Sequence, residues 1–352
     1  MGSAKFPSWR RERSLSARSG LRRSIACFIV IGLVIIVLYR FGPFPMSYAL
    51  CYLQPGMFSN MTLPREAVQQ LRERPLTSLE FDCNTALQTG PVVAHKVEKV
   101  NHPFFISIAE LGTFEKPNRN FQRILKGKLF QKPAISETVQ TVLQRLKARG
   151  LDTRDSVIVD VGANVGMATF AAAAMGFRVL AFEPIADNIQ KLCDGVYLNR
   201  ASSLVQLYHL AVSNIPGYIT MHKVVGRLDN SAVSATSATL AFKDNEIIPV
   251  TIKSVTLDSI LPPLSRVLLL KIDVQGWEYH VLKGASDLLS RPPNLAPYII
   301  YEEDEKLLKE SNSTSEEILQ YLKEHGYHHC IKDGGDRHCV KEKHGDLLKE
   351  GN

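Results

Sequence analysis

Apolar and polar positions follow three different rhythms along the 352-residue chain. Residues 25–39 (IACFIVIGLVIIVLY) form an uncharged apolar run. Between about residues 136 and 149 the period is helical: Val139, Val142, Leu143 and Leu146 share one face, Lys147 and Arg149 sit in the last turn, and Gly150 stops it. From residue 155 onward, buried strands alternate with helices. The pattern predicts strands over 157–161, 178–182, 204–210, 250–254, 267–272 and 298–301. Helices are predicted over 167–175, 187–199, 278–289 and 314–325, with a helical piece after Asp258 and a closing hairpin around Gly334-Gly335. This alternation calls for an α/β fold with a doubly wound, mainly parallel sheet and a terminal antiparallel hairpin. Residues 64–149 show only a short helix near 65–74, an apolar patch at 104–109 and the helix at 136–149, and carry no visible chemistry.

Charge changes the picture mainly by where it lies. The chain carries +7, but residues 1–23 hold Lys5, Arg10, Arg11, Arg13, Arg18, Arg22 and Arg23 against Glu12, which is +6 of it. The rest is nearly neutral, so a broadly basic nucleic-acid surface is not expected. Fifteen helical residues span only about 22 Å, short for a bilayer. Arg40 can snorkel and residues 41–46 extend the buried length, so a single span in a thin early-secretory membrane is feasible. The preceding arginines would stay cytoplasmic, giving a type II membrane protein of the Golgi or endoplasmic reticulum with a lumenal catalytic part. A cleaved signal peptide and an organellar transit peptide are the alternatives. The implied organisation is a basic tail (1–23), a signal anchor (24–46), a stem with accessory helices (47–149), a catalytic domain (150–341) and a tail (342–352).

Two features favour the lumen. Asn60-Met61-Thr62 and Asn312-Ser313-Thr314 are glycosylation sequons. Of the six cysteines, Cys27 lies in the apolar run and Cys193 in a predicted helix, leaving Cys51, Cys83, Cys330 and Cys339. In the closing hairpin Asp333 pairs with Asp336, so Cys330 falls opposite Cys339 at a non-hydrogen-bonded pair, about 4.5 Å between Cα atoms. That bridge is predicted, and by remainder a Cys51–Cys83 bridge.

The candidate chemistry begins where the first strand of the alternation runs into Asp160-Val161-Gly162-Ala163-Asn164-Val165-Gly166 and a helix follows at once. Ligands of such sheets bind at the carboxyl ends of strands. Gly162 and Gly166 let the backbone turn tightly beside a ligand, and the helix start offers free N–H groups. The spacing is G-x-x-x-G, not the dinucleotide G-x-G-x-x-G, which disfavours a nicotinamide dehydrogenase. Glu183 ends the next strand 21 residues after Gly162, where an acid can accept ribose hydroxyls.

The segments VDVGANVG, AFEP, AVSNIPGYITMH and LLLKIDVQGWEYHVLKGA closely resemble the FkbM family of S-adenosylmethionine-dependent methyltransferases, over about residues 156–340. The resemblance implies a seven-stranded, Rossmann-like methyltransferase sheet. It also implies S-adenosylmethionine bound at Asp160, Gly162, Asn164, Gly166 and Glu183, and O-methylation of a sugar or another hydroxylated molecule. Gln275 departs from the family, which typically shows an acid in that D-V-x-G turn.

Asp273, at the end of the most apolar strand, is the first catalytic candidate, as a base or a positioning carboxylate, with capping of the following helix as its alternative. Glu302, closing the next strand, is the second, with solvated acidity beside Glu303 and Asp304 equally open. Trp277 is read as packing or substrate stacking, and Asp229, Asn230 and Ser231 as a possible acceptor loop. The histidines near Cys330 and Cys339 do not form a tetrahedral set in the hairpin register, so no metal is expected. The leading expectation is a lumenal O-methyltransferase of a glycan or glycoconjugate. The others are a methyltransferase of an organellar or cytosolic small molecule or lipid, and a non-catalytic binding module of the same fold.

Overall fold

Strand β3 (Ser156–Val161) is buried along its whole length, as the central strand of a two-sided sheet should be. The computed structural model describes residues 79–108 except 87 and 89, residues 122–123, 126, 134–150 and 348, and residues 156–341 except 227, 229–230, 235–245 and 263–264. The basic tail, the apolar run at 25–39, the Asn60 sequon, Cys51, the expected helix near 65–74, Asp229 and Asn230 lie outside these residues. Among the described residues no helix is long and apolar enough to cross a membrane.

On one side of β3 lie β4 (Arg178–Phe182) and then β5 (Val205–Tyr208), both parallel to it. On the other lie β9 (Arg266–Ile272) and β10 (Tyr298–Glu302), also parallel. The hairpin β11 (His329–Asp333) and β12 (Asp336–Val340) completes the order β11-β12-β10-β9-β3-β4-β5. The last strand is inserted antiparallel between β10 and β11. The chain thus leaves β3 in one direction and returns to β9 on its other side, and the crevice between them is the topological switch point where ligands of such sheets bind.

Both faces are covered. Ile158, Val179, Leu207 and Ile300 pack under α1 (Ala134–Ala148), α2 (Met167–Ala173), α3 (Ala186–Leu198) and the small hairpin β1 (Ala94–Val97)–β2 (Phe104–Ser107). The alternate positions Val157, Val159, Val161, Ile299 and Tyr301 meet α4 (Leu257–Ile260), α5 (Glu278–Lys283), α6 (Ser286–Leu289), α7 (Glu305–Glu310) and α8 (Ser315–Glu324). The face of α1 foreseen from periodicity, Val139 to Leu146, is the buried one. The expected single helix at 278–289 is two, interrupted at Gly284 and Ala285, and a Cβ on Gly284 would stand 2.1 Å from the Ser213 carbonyl oxygen. Helix α7 was not expected; Asp304, grouped above with solvated acids, caps it by accepting from the N–H groups of Lys306 and Leu307. Glu303 is not solvated either: the Arg337 guanidinium grips it at 2.6 and 2.8 Å, and Lys332 at 3.0 Å.

The accessory segment is docked on α2 and α3. The Asn199 side chain accepts from Phe105 N at 2.8 Å and donates to Phe105 O at 2.7 Å, completing the outer edge of β2. Gln140 likewise brackets His102, accepting from its N–H at 2.9 Å and donating to its carbonyl at 2.8 Å. Cys330–Cys339 is a disulfide in the expected register, with Cα atoms 4.2 Å apart. The Cys51–Cys83 expectation is wrong: Cys83 is bonded to Cys193, Cα atoms 5.4 Å apart. Cys193 was set aside as helical, but its face of α3 is the one the accessory segment covers, so being helical did not remove it from reach.

Candidate active site

The loop after β3 is built from left-handed backbone. Gly162, Asn164 and Gly166 have φ of 76°, 52° and 93°, a region glycine enters freely and asparagine tolerates. The N–H groups of Gly162 and Ala163 both donate to the Phe182 carbonyl at 3.0 Å, binding the loop to the end of β4. On the other side, Asp273 N donates to Val161 O at 3.0 Å, and a Cβ on Gly162 would stand 1.8 Å from the Asp273 carbonyl oxygen. The loops after β3 and β9 are therefore in backbone contact, and only a glycine fits between them.

Glu183 follows β4 and is 4% exposed. Its Oε2 accepts from Asn164 N at 2.7 Å; its Oε1 accepts from Ile185 N at 3.0 Å and Asn188 Nδ2 at 3.2 Å. Burial pushes its carboxyl up to about 6, against the pull of those donors and of Lys271. Asp160 lies deeper. Its carboxylate is fully buried, accepts from Thr169 Oγ1 at 2.6 Å and pairs with Lys271 Nζ at 3.1 Å. Lys271 Nζ also donates to Gly162 O at 2.7 Å. Burial alone would lower the Lys271 pKa, but Asp160 and Asp273 more than offset it and hold the ammonium above its ordinary value. A Cβ on Gly166 would stand 2.3 Å from the Phe170 ring. Asp160 and Gly166 thus shape the loop from beneath and do not line the cleft, whereas Gly162, Asn164 and Glu183 do.

The loop after β9 turns through Gln275 and Gly276, φ 54° and 96°. Buried Glu278 holds it, Oε1 accepting from Val274 N at 3.0 Å and Gly276 N at 3.1 Å; burial raises its carboxyl to about 7. Asp273 lines the cleft with its side chain 44% exposed, and its Oδ1 accepts from Gln275 Nε2 at 3.1 Å. The same amide donates to Glu302 Oε2 at 2.8 Å. Burial, then the carboxylates of Asp273, Glu278 and Asp336, push the Glu302 carboxyl far above the carboxylate range. Glu302 does not line the cleft. Trp277 does; it stacks on His280, ring centres 3.7 Å apart, and donates to Ser213 Oγ at 3.1 Å.

A three-stranded sheet, β6 (Ala211–Val212), β8 (Ile247–Val255) and β7 (Gly217–Val224), closes the far side. It brings Ala211, Ile219 and Met221 to the cleft, with Ser231 and Val233 beside them. Lys223 of β7 pairs with Asp187 in the first turn of α3 at 2.7 Å. The cleft is open at its mouth and amounts to about 630 Å³ when that open space is counted. Lys271, Asn188 and Gln275 are the parts of the site that sequence reasoning did not assign. Lys271 left a signal, a charge inside the otherwise apolar run 267–272, while Asn188 left none.

A glycine-rich turn after the first strand of the sheet, an acid after the second and the antiparallel insertion of the last strand together define the methyltransferase class of α/β fold. Residues 160–328, just under half of the chain, match the methyltransferase FkbM domain. The match falls inside the span 156–340 expected from the motifs. No curated protein matches the chain. Among solved structures, the ribosomal protein L11 methylase from Lactobacillus delbrueckii subsp. bulgaricus is 14% identical, with 70% of this chain and 100% of that one covered and a TM-score of 0.31. A putative RNA methyltransferase, PH1948 from Pyrococcus horikoshii, is 12% identical, with 58% and 84% covered and a TM-score of 0.30. TYW2 of M. jannaschii, in complex with AdoMet, is 14% identical, with 72% and 86% covered and a TM-score of 0.28. The fold class rests on strand order and pairing, not on these likenesses.

Proposed function

We propose that the cleft binds S-adenosylmethionine and that the chain methylates a hydroxyl of a sugar, glycan or other hydroxylated acceptor in the secretory lumen. One observation carries the proposal: Glu183 and Asp273 line a single cleft, in loops both bound to the loop after β3. Glu183 suits a nucleoside, Gly162 and Asn164 form the turn beside it, and the sheet β6-β8-β7 shields it from solvent. S-Adenosylmethionine supplies a methyl group on a sulfonium sulfur, and catalysis of its displacement is largely orientation. Asp273 is the carboxylate placed to receive the acceptor's hydroxyl proton, with Gln275 orienting it and Lys271 Nζ 3.9 Å away. Glu302, which burial first and then the neighbouring carboxylates hold toward the protonated form, does not line the cleft. It holds the Gln275 amide from behind, and an acid in place of Gln275 would add a further carboxyl to this crowded group.

Calorimetric titration with S-adenosylhomocysteine tests the cofactor; no binding by folded protein ends the proposal. Methyl-donor labelling of microsomal glycans and metabolites then identifies the acceptor. Asp273→Asn is expected to lower transfer by about 10²-fold or more with S-adenosylhomocysteine affinity within about two-fold of wild type, and unchanged transfer removes Asp273 from this role. The lumenal address is supported by two disulfides, which persist in oxidising compartments, and by Asn312, exposed in the turn before α8. Protease protection of the catalytic part with a glycosidase-sensitive shift at Asn312 is the expected result. A protease-accessible, unglycosylated protein would favour an organellar or cytosolic acceptor instead.

A further inference from the structure

Glu183 does not have room for a complete ribose diol. A carboxylate oxygen offers two lone-pair directions, and Oε1 already accepts from Ile185 N and Asn188 Nδ2. Oε2 accepts from Asn164 N, which leaves one direction open. A nucleoside presents two adjacent hydroxyls, so one of them lacks an acceptor on this residue. Beside it stands an acceptor without a donor. Asn188 is 1% exposed and lines the cleft, and its Oδ1 is buried with no hydrogen-bond partner. The amide orientation follows from its neighbour, since the opposite one would set Oδ1 against an ionised carboxylate. Buried carbonyl oxygens are rarely left unpaired, and one that is calls for an explanation such as a missing ligand.

We propose that Asn188 is a cofactor-binding residue: Glu183 Oε2 takes one ribose hydroxyl and Asn188 Oδ1 takes the other, while Asn188 Nδ2 keeps Glu183 in place. This rests on the cofactor assignment above, and the test separates the two. The full-length chain is titrated calorimetrically with S-adenosylhomocysteine and with its 2′-deoxy and 3′-deoxy analogues, for wild type, Asn188→Leu and Asn188→Asp. Wild type is expected to bind the parent compound and to lose about ten-fold for each missing hydroxyl, the usual effect of leaving one buried partner unpaired. In Asn188→Leu, which keeps the size and removes the acceptor, one of the two deoxy penalties should fall to about two-fold or less and the other persist. Asn188→Asp keeps an oxygen at that point and, with one proton shared between it and the Glu183 carboxylate to replace the lost Nδ2 contact, should retain both penalties. If both penalties survive unchanged in Asn188→Leu, Asn188 merely props Glu183 and the proposal is overturned. Should the leucine variant fail to fold, Asn188→Ala carries the same comparison. Failure of wild type to bind S-adenosylhomocysteine at all would instead remove the underlying cofactor assignment.

Discussion

Gly162→Ala probes the contact on which the site depends. The substitution adds one carbon, yet that carbon would stand 1.8 Å from the Asp273 carbonyl oxygen and 2.9 Å from its carbonyl carbon, where approaches under 3.0 Å are essentially never found. The obstruction is backbone, held by the Asp273 N–H to Val161 O bond, and cannot rotate away as a side chain would. Two effects add. Holding alanine at φ 76° costs about 1–2 kcal/mol, and forcing two packed loops apart costs roughly 1–3 kcal/mol, so a loss of about 2–5 kcal/mol is expected. Gly176→Ala provides the control: φ is 84°, but nothing lies within 4 Å of the added carbon, so only the backbone effect of about 1–2 kcal/mol remains. Urea unfolding of both variants, with S-adenosylhomocysteine titration of the folded fractions, reads the difference. Gly162→Ala should be the less stable and should lose cofactor binding, while Gly176→Ala keeps it. Equal stability and equal affinity would refute the claim that the two loops touch.

Two further outcomes follow from burial and covalent ties. The Glu183 carboxyl titrates at about 6 against 4.5; a raised value stabilises the empty fold below the unfolded pKa, and this is lost as pH rises through 6, a difference on the order of 2 kcal/mol. Because ribose hydroxyls donate to the ionised form, S-adenosylhomocysteine affinity should rise between pH 5 and 7 by up to about ten-fold and flatten above that; calorimetry of wild type against Glu183→Gln checks this, and a flat wild-type profile counts against it. The Cys83–Cys193 bridge spans 110 residues and Cys330–Cys339 spans 9. Loop entropy therefore favours the first by about 2 kcal/mol, and Cys83→Ser should lower the thermal midpoint more than Cys330→Ser, which differential scanning calorimetry decides.

The central strands and the two loops at their ends were legible because each is local: an apolar run, a glycine pair, an acid one strand later. The Cys330–Cys339 register was legible for the same reason, as counting back from a two-residue turn needs no tertiary knowledge. What escaped depended on distant partners. Strand β12 slots between β10 and β11, and no pattern within the hairpin says which of its strands will meet β10. Cys193 found Cys83 only because residues 79–108 fold over α3. In the sheet β6-β8-β7, strand β7 buries only Met221 and Val224 among exposed and half-buried positions, so the stretch carries too little apolar alternation to read as a strand. Asn188 is a polar residue on a helix until Glu183 is placed beside it.

Lys271 shows why the switch point is more than a gap between strands. A buried ion pair is a poor stabiliser, since desolvating two charges offsets most of their attraction, and apolar residues at 160 and 271 would continue the rows above and below. Two apolar side chains could not, however, supply the third contact. The Lys271 ammonium reaches Asp160 in β3, the Gly162 carbonyl in the loop above it and, at 3.9 Å, Asp273 in its own loop. It therefore fixes the height of the nucleotide-side turn relative to the proposed base. Gly162 sets how closely the two loops approach, and Lys271 sets where along the strands they do so. The first constraint acts on backbone, and the second acts on the Gly162 carbonyl and on two carboxylates, so that Asp273 faces the cleft with Lys271 beside it. On that view the buried charge in an apolar strand belongs to the geometry of the reaction, and its energetic disadvantage is tolerated because no uncharged side chain makes all three contacts.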